Sequence, residues 1–146
     1  MILPIYVLNG PNLNLLGTRE PEIYGRATLA EIEQAVKARA AVHGLEIVFR
    51  QSNHEGVLVD WIQEAREKGS GVIINPSAYS HTSIALYDAF KALGKPIIEV
   101  HLSNTNQREA FRHRDYVSQV AKGIIEGLGI SGYLFAVDAM AELVKK

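Results

Sequence analysis

The chain has 146 residues, 47% hydrophobic and 21% charged, an ordinary balance for one globular domain with a sizeable core. A net charge of -1, with no basic tail or stripe, argues against non-specific binding to nucleic acid or to an anionic membrane surface. The absence of cysteine removes disulfides, thiol nucleophiles and cysteine metal sites, and fits a cytoplasmic location. The start Met1-Ile2-Leu3-Pro4 lacks the basic region of a secretory signal, and no apolar run approaches the ~20 residues of a membrane span. One domain covering 1–146 is expected.

Ile2 to Leu8 reads as a first buried strand. The run from Asn9 to Arg26 that follows is long for a connection in an α/β domain, where ~2–6 residues are usual. Leu13, Leu15, Leu16 and Ile23 give it apolar anchors, and Gly17 and Gly25 give it hinges. It also carries Arg19, Tyr24 and Arg26. A guanidinium beside a phenol favours the tyrosinate, so Tyr24 is a candidate base with Arg19, and with Arg112 as a further contributor.

Thr28-Leu29-Ala30-Glu31 is a capping box that opens a helix with Leu29, Ile32, Val36 and Ala40 at helical spacing and a stop at Gly44. Leu45 to Arg50 is the second strand. Ser52-Asn53-His54-Glu55 offers another capping box for a helix with Leu58, Ile62 and Ala65 inward, ending at Gly69. Gly71 to Asn75 is the third strand. Ser80 or Thr82 can cap a helix running to about Leu93, and Pro96 to Val100 is the fourth strand. Ser103 to Tyr116 is polar. Val117 to Ile125 fits neither period well; the alternation of elements favours a short fifth strand there. Ile130, Leu134, Val137, Met140 or Ala141, and Val144 suit a closing helix.

This alternation predicts a flavodoxin-like, doubly wound, five-stranded parallel sheet of order 2-1-3-4-5 in a three-layer α/β/α sandwich. In such sheets ligands bind beyond the carboxyl ends of the strands, near the switch between strands 1 and 3. That brings together the polar clusters Asn12 to Tyr24, Asn75 to His81 and His101 to Arg112. Glu99 and His101, two apart on a strand, share a face, so the carboxylate can orient the ring for acid–base work or simply form a structural pair. Asn75 to Ser83 is rich in groups for hydroxyl recognition, and backbone N–H groups after His101 can receive a carboxylate. Arg112-His113-Arg114 reads as an anion clamp or a solvated charge run.

Other chemistries lack support. Gly127-Leu128-Gly129-Ile130-Ser131-Gly132 satisfies G-x-G-x-x-G, but no strand with an acidic residue follows it, so these are turn and packing glycines. There is no Walker A sequence, no H-E-x-x-H pair and no G-x-S-x-G elbow, so no metal site and no serine triad is expected.

The sequence resembles the type II 3-dehydroquinate dehydratases. The resemblance is carried by Asn9 to Gly17 with Arg19-Glu20-Pro21 and Tyr24-Gly25, by Gln51 to Gly56, by Asn75-Pro76 with Ala78-Tyr79 and His81-Thr82-Ser83, by Glu99 to Asn104 and by Phe111-Arg112-His113. It implies reversible dehydration of 3-dehydroquinate to 3-dehydroshikimate in the shikimate pathway, an anti elimination through an enolate with neither metal, Schiff base nor cofactor. It also implies a homododecamer of four trimers. Carried over, Tyr24 is the base and Arg19 keeps it ionised. Asn12 holds a water at the enolate, and His101 protonates the leaving hydroxyl while Glu99 orients it. Asn75, His81 and Arg112 bind hydroxyls, the backbone of Leu102 and Ser103 binds the carboxylate, and Asp88 reaches a neighbouring subunit's site. Ser77 stands where the family pattern expects glycine, and Thr105-Asn106 also departs from it. A flavin-binding module on this fold needs a Ser/Thr- and glycine-rich phosphate loop after strand 1, where this chain has asparagines, leucines and arginines. A catalytically dead scaffold is disfavoured because each expected catalytic residue is present.

Overall fold

Alternating apolar positions along each strand decide which helices it meets. The computed structural model describes residues 1–146. Strands β1 (Ile5–Asn9), β2 (Ile47–Gln51), β3 (Gly71–Asn75), β4 (Ile97–His101) and β5 (Gly123–Glu126) form one parallel sheet of order 2-1-3-4-5. Ile5, Val7, Ile73, Ile98 and Val100 pack with Ile32 and Val36 of α2 (Leu29–Val42) and with Tyr133 and Val137 of α5 (Ile130–Val144). The intervening residues Tyr6, Leu8, Val72, Ile74 and Ile97 point to the other face. There they meet Leu58 and Ile62 of α3 (Glu55–Lys68) and Leu86 and Phe90 of α4 (Ile84–Leu93). This is the flavodoxin-like architecture expected from the alternation. No helix is long and apolar enough to cross a membrane.

Local chemistry sets the element ends. Thr28 Oγ1 accepts from the Glu31 N–H at 3.2 Å, as the first capping box requires. Gly44, at φ +71°, closes α2 in a Schellman turn, with Leu45 N–H on Ala40 O and Gly44 N–H on Ala41 O. That turn consumes Leu45, so β2 starts at Ile47. β1 starts at Ile5 rather than Ile2, because Pro4 has no N–H for the ladder. The second capping box does not form: Ser52 Oγ accepts from His54 N–H, two residues on, and no side chain caps α3. Neither Ser80 nor Thr82 caps α4. Ser83 does, accepting from Leu86 N–H at 2.9 Å, while the Ser80 hydroxyl donates to Ser77 O within a 3-10 turn. The ambiguous stretch splits into a 3-10 turn at Val117–Gln119, with Val117 in the core, and β5 at Gly123–Glu126.

The carboxyl ends of β1, β3 and β4 converge. Gly10 follows β1 and donates to Asn75 O at 2.8 Å; a Cβ at Gly10 would lie 2.4 Å from Pro76 O, so only glycine lets these loops approach. The long loop after β1 contains a 3-10 turn (Leu13–Leu15) and a short helix α1 (Pro21–Tyr24). Leu13 and Leu16 anchor it in the core, as expected. Leu15 and Ile23 do not; both side chains are exposed.

Candidate active site

At that end of the sheet the three loops line one cleft. The loop after β1 contributes Leu13 and Tyr24 to its wall, and the loop after β3 contributes Asn75, Ser77 and His81. The segment after β4 contributes His101, Leu102, Ser103, Thr105, Arg108 and Arg112. The three polar clusters singled out in the sequence therefore do meet, and no lysine lies among the lining residues.

Tyr24 is the last residue of α1, held there by its N–H on Glu20 O. The Arg19 guanidinium carbon stands 4.7 Å from the Tyr24 ring centroid. The second guanidinium is not that of Arg112. Arg108 takes the place, 5.0 Å from the same centroid, with Nη1 donating to Ser103 Oγ at 3.2 Å. Arg112 is drawn off by Glu109, whose carboxylate accepts from its Nε at 2.6 Å, although the side chain still lines the cleft. Arg108 gave no signal of its own in the sequence, because it stands alone in a polar run without periodicity.

Glu99 and His101 end β4, both buried, with His101 Nε2 2.5 Å from Glu99 Oε2. The sequence reading missed a third member. Asp115, fourteen positions beyond His101, places Oδ2 3.6 Å from the same Nε2. Burial alone would lower the imidazole's pKa, but Asp115 and Glu99 outweigh it and push it up to about 9. Burial pushes Glu99 up to about 8 against the pull of His101, while Asp115 is held below the usual carboxylate range by His101, Glu99 and the Ser118 N–H despite its partial burial.

Asn75 is fixed by a buried chain of hydrogen bonds. Its Nδ2 donates to Tyr133 Oη at 2.9 Å, and Tyr133 Oη donates to Asn9 Oδ1 at 2.7 Å. Asn9 Nδ2 in turn donates to Arg50 O, and Asn75 Oδ1 accepts from Ser77 N–H. The sequence reading put Leu134, not Tyr133, on the inward face of this helix; Tyr133 is the fully buried one, and it sets which way the Asn75 amide points. Tyr133→Phe is expected to lower the unfolding free energy by about 1–3 kcal/mol in urea titrations, since it strands two buried polar groups.

His81 Nδ1 lies 2.7 Å from Arg114 O; a carbonyl only accepts, so Nδ1 donates there and Nε2 takes no part in that bond. No turn or loop hydrogen bond engages the N–H of Leu102 or Ser103. Gly127 N–H and Gly129 N–H bind the carbonyls of His101 and Leu102, so those glycines are turn residues that hold this segment in place. Thr105 and Asn106 both hydrogen-bond the Glu126 carboxylate, at 3.1 and 3.2 Å, tying the same segment to β5. Ser77 sits at φ +53°, which explains a preference for glycine there. Ser77→Gly should raise stability by roughly 0.5–1 kcal/mol, read as a higher denaturation midpoint with an unchanged slope.

Four expected residues are not part of the cleft wall: Arg19 stands over the Tyr24 ring, Glu99 is buried against His101, and Asn12 and Asp88 are exposed. Asn12 is exposed at φ +70°, with its N–H on Asn53 Oδ1 at 3.0 Å. Asp88 is exposed on α4, beside Ile84, whose side chain is also exposed.

Fold and cleft together define a flavodoxin-like protein with a polar cleft at the carboxyl ends of its strands. The sequence pattern of the family described as dehydroquinase class II matches residues 3–141. A 3-dehydroquinate dehydratase of Caulobacter sp. (strain K31) is 60% identical over 144 residues, covering 99% of this chain and 98% of that relative. One from Phenylobacterium zucineum (strain HLK1) is 59% identical over 145 residues, covering 99% and 100%. The crystal structure of type II dehydroquinase from Propionibacterium acnes superposes with a TM-score of 0.93 at 43% identity, covering 97% of this chain and 98% of that one. The chain belongs to the class II dehydroquinase family.

Proposed function

We propose that this chain dehydrates 3-dehydroquinate to 3-dehydroshikimate, reversibly, as a step of the shikimate pathway. The observation that carries the proposal is a single cleft holding a tyrosine under two guanidiniums and a buried carboxylate–imidazole pair. Loss of water from a β-hydroxy ketone needs a base for the proton beside the carbonyl and an acid for the departing hydroxyl. Tyr24 is the base: its phenolate takes the proton, and the C–H electron pair moves onto the ketone oxygen as an enolate. Arg19 and Arg108 supply the positive charge against which the phenolate is held. Asn12, brought inward with its loop, holds a water that donates to the enolate oxygen. The enolate then reforms the ketone, the double bond forms, and the C–O bond breaks as the His101 imidazolium gives its proton to the leaving hydroxyl. Glu99 orients that ring.

Asn75, His81 and Arg112 suit the ring hydroxyls, and the N–H groups of Leu102 and Ser103 suit the carboxylate. The lining holds no lysine, which supports an elimination without a Schiff base. The hinge glycines Gly17 and Gly25, both at positive φ, support closure of the loop that bears Arg19 and Tyr24. Asp88 lies on the outer face of α4, available to a neighbouring subunit in a dodecamer of four trimers. The test is incubation with 3-dehydroquinate while following the ultraviolet absorbance of the conjugated enone. A saturable rise is expected; a folded protein that yields no enone refutes the proposal.

A further inference from the structure

Glu99 Oε1 is the one buried side-chain oxygen or nitrogen that no group in the chain satisfies. A bare carboxylate oxygen in that position is costly. Asp115 is a carboxyl close to the Glu99–His101 pair: one oxygen or nitrogen from each of Glu99, His101 and Asp115 lies within 4.8 Å of the others. Asp115 is itself well placed. Its Oδ1 accepts from Ser118 N–H at 3.0 Å, which fixes the carboxyl and leaves Oδ2 turned to the His101 ring.

We propose that Asp115 is a positioning residue of the acid, completing with Glu99 and His101 a buried trio in which the two carboxyls share one proton and jointly hold the imidazole as a cation. The inference deepens the dehydratase reading and rests on it for its catalytic meaning, but the charge arrangement stands without it. The shared proton gives the orphaned oxygen a hydrogen-bonding role. It also prevents two carboxylates from facing each other unpaired, as neighbouring carboxyls otherwise do at a large cost. The directions of the shifts agree with this: Glu99 is raised to about 8, Asp115 is lowered, and His101 is raised to about 9.

Other charges near the ring do not replace Asp115. Glu126 stands opposite His101 in the β5 register, but both its oxygens are engaged by Thr105 and Asn106. Tyr24, His81, Arg108 and Arg112 line the same cleft, and the two arginines oppose a positive imidazole rather than support it. An acid that must protonate a hydroxyl is useful only while it holds its proton, so the trio extends the working range toward alkaline pH. The sign follows from the raised value: the imidazolium is fully formed below pH ~6.5 and is lost as pH rises through about 9.

The test is a nuclear magnetic resonance titration of ring-labelled histidine in the full protein, with the His101 signal assigned by its loss in His101→Gln. In the wild type the signal should move in two alkaline steps, as the carboxyl proton and then the ring proton leave. Asp115→Asn keeps the oxygen that Ser118 N–H needs and removes only the charge. It should give one step, lower by about one pH unit or more. Asp115→Ser retains a hydroxyl acceptor for the same N–H and should shift the ring alike, so misfolding of one variant leaves the test intact. The alkaline limb of kcat/KM should move down with the ring. An unchanged His101 titration in a folded variant overturns the proposal. A shifted ring in a protein that does not dehydrate 3-dehydroquinate overturns the functional reading instead and leaves the trio standing.

Discussion

Tyr24→Phe should lower kcat by about 10²–10⁴-fold, the usual worth of a positioned general base, and leave KM within a few-fold. The substitution removes one oxygen. The ring that Arg19 and Arg108 cover stays in place, as does the α1 turn that ends at Tyr24. Thermal denaturation should therefore be nearly unchanged, since the residue is only half-buried and its hydroxyl has no partner in the chain. The split between an almost inert chemical step and near-normal binding distinguishes a base from a residue that merely shapes the cleft. A variant retaining most of its kcat would remove Tyr24 from the mechanism.

Arg108→Ala should cost about 10²–10³-fold in kcat, the scale found when one preorganised charge is removed from a reacting centre. Two effects combine. Tyr24 loses one of the two guanidiniums that face its ring, and Ser103, whose backbone N–H is proposed to receive the carboxylate, loses its tie to Nη1. The first lowers kcat and the second raises KM. Arg112→Ala acts differently: Arg112 stands away from the Tyr24 ring and pairs with Glu109, so its loss should fall mainly on KM. Steady-state kinetics of the two variants side by side separate these roles. Equal effects on kcat and KM in both would mean that the arginines are interchangeable.

The sheet order was legible in the sequence because strands and helices alternate with sharp stops, and such an alternation leaves few topologies. Gly44 and Thr28 act locally, through turn and cap geometry, so their roles could be read from neighbouring residues. The caps of α3 and α4 could not. Ser52, Ser80 and Thr82 are all capable of capping, and it is Ser83, just past a 3-10 turn at Ser77–His81, that caps α4. In the site, Glu99 and His101 were visible because strand periodicity puts them on one face. Arg108 was hidden because it stands alone in a polar run, and Asp115 and Tyr133 because their partners lie outside any local period. Tyr133 reaches Asn9 across 124 positions, and no local pattern records such a contact. Ser77 shows the reverse: the departure from glycine was plain in the sequence, and its meaning came only with φ.

The most direct measurement of whether this cleft performs the dehydration is a crystal structure of the protein with 3-dehydroshikimate bound. The carboxylate is expected on the N–H groups of Leu102 and Ser103, the hydroxyls at Asn75, His81 and Arg112, and the Tyr24 oxygen within hydrogen-bonding reach of the carbon beside the ketone. A product molecule seated elsewhere, or one in this cleft with Tyr24 and His101 on the wrong atoms, would contradict that placement.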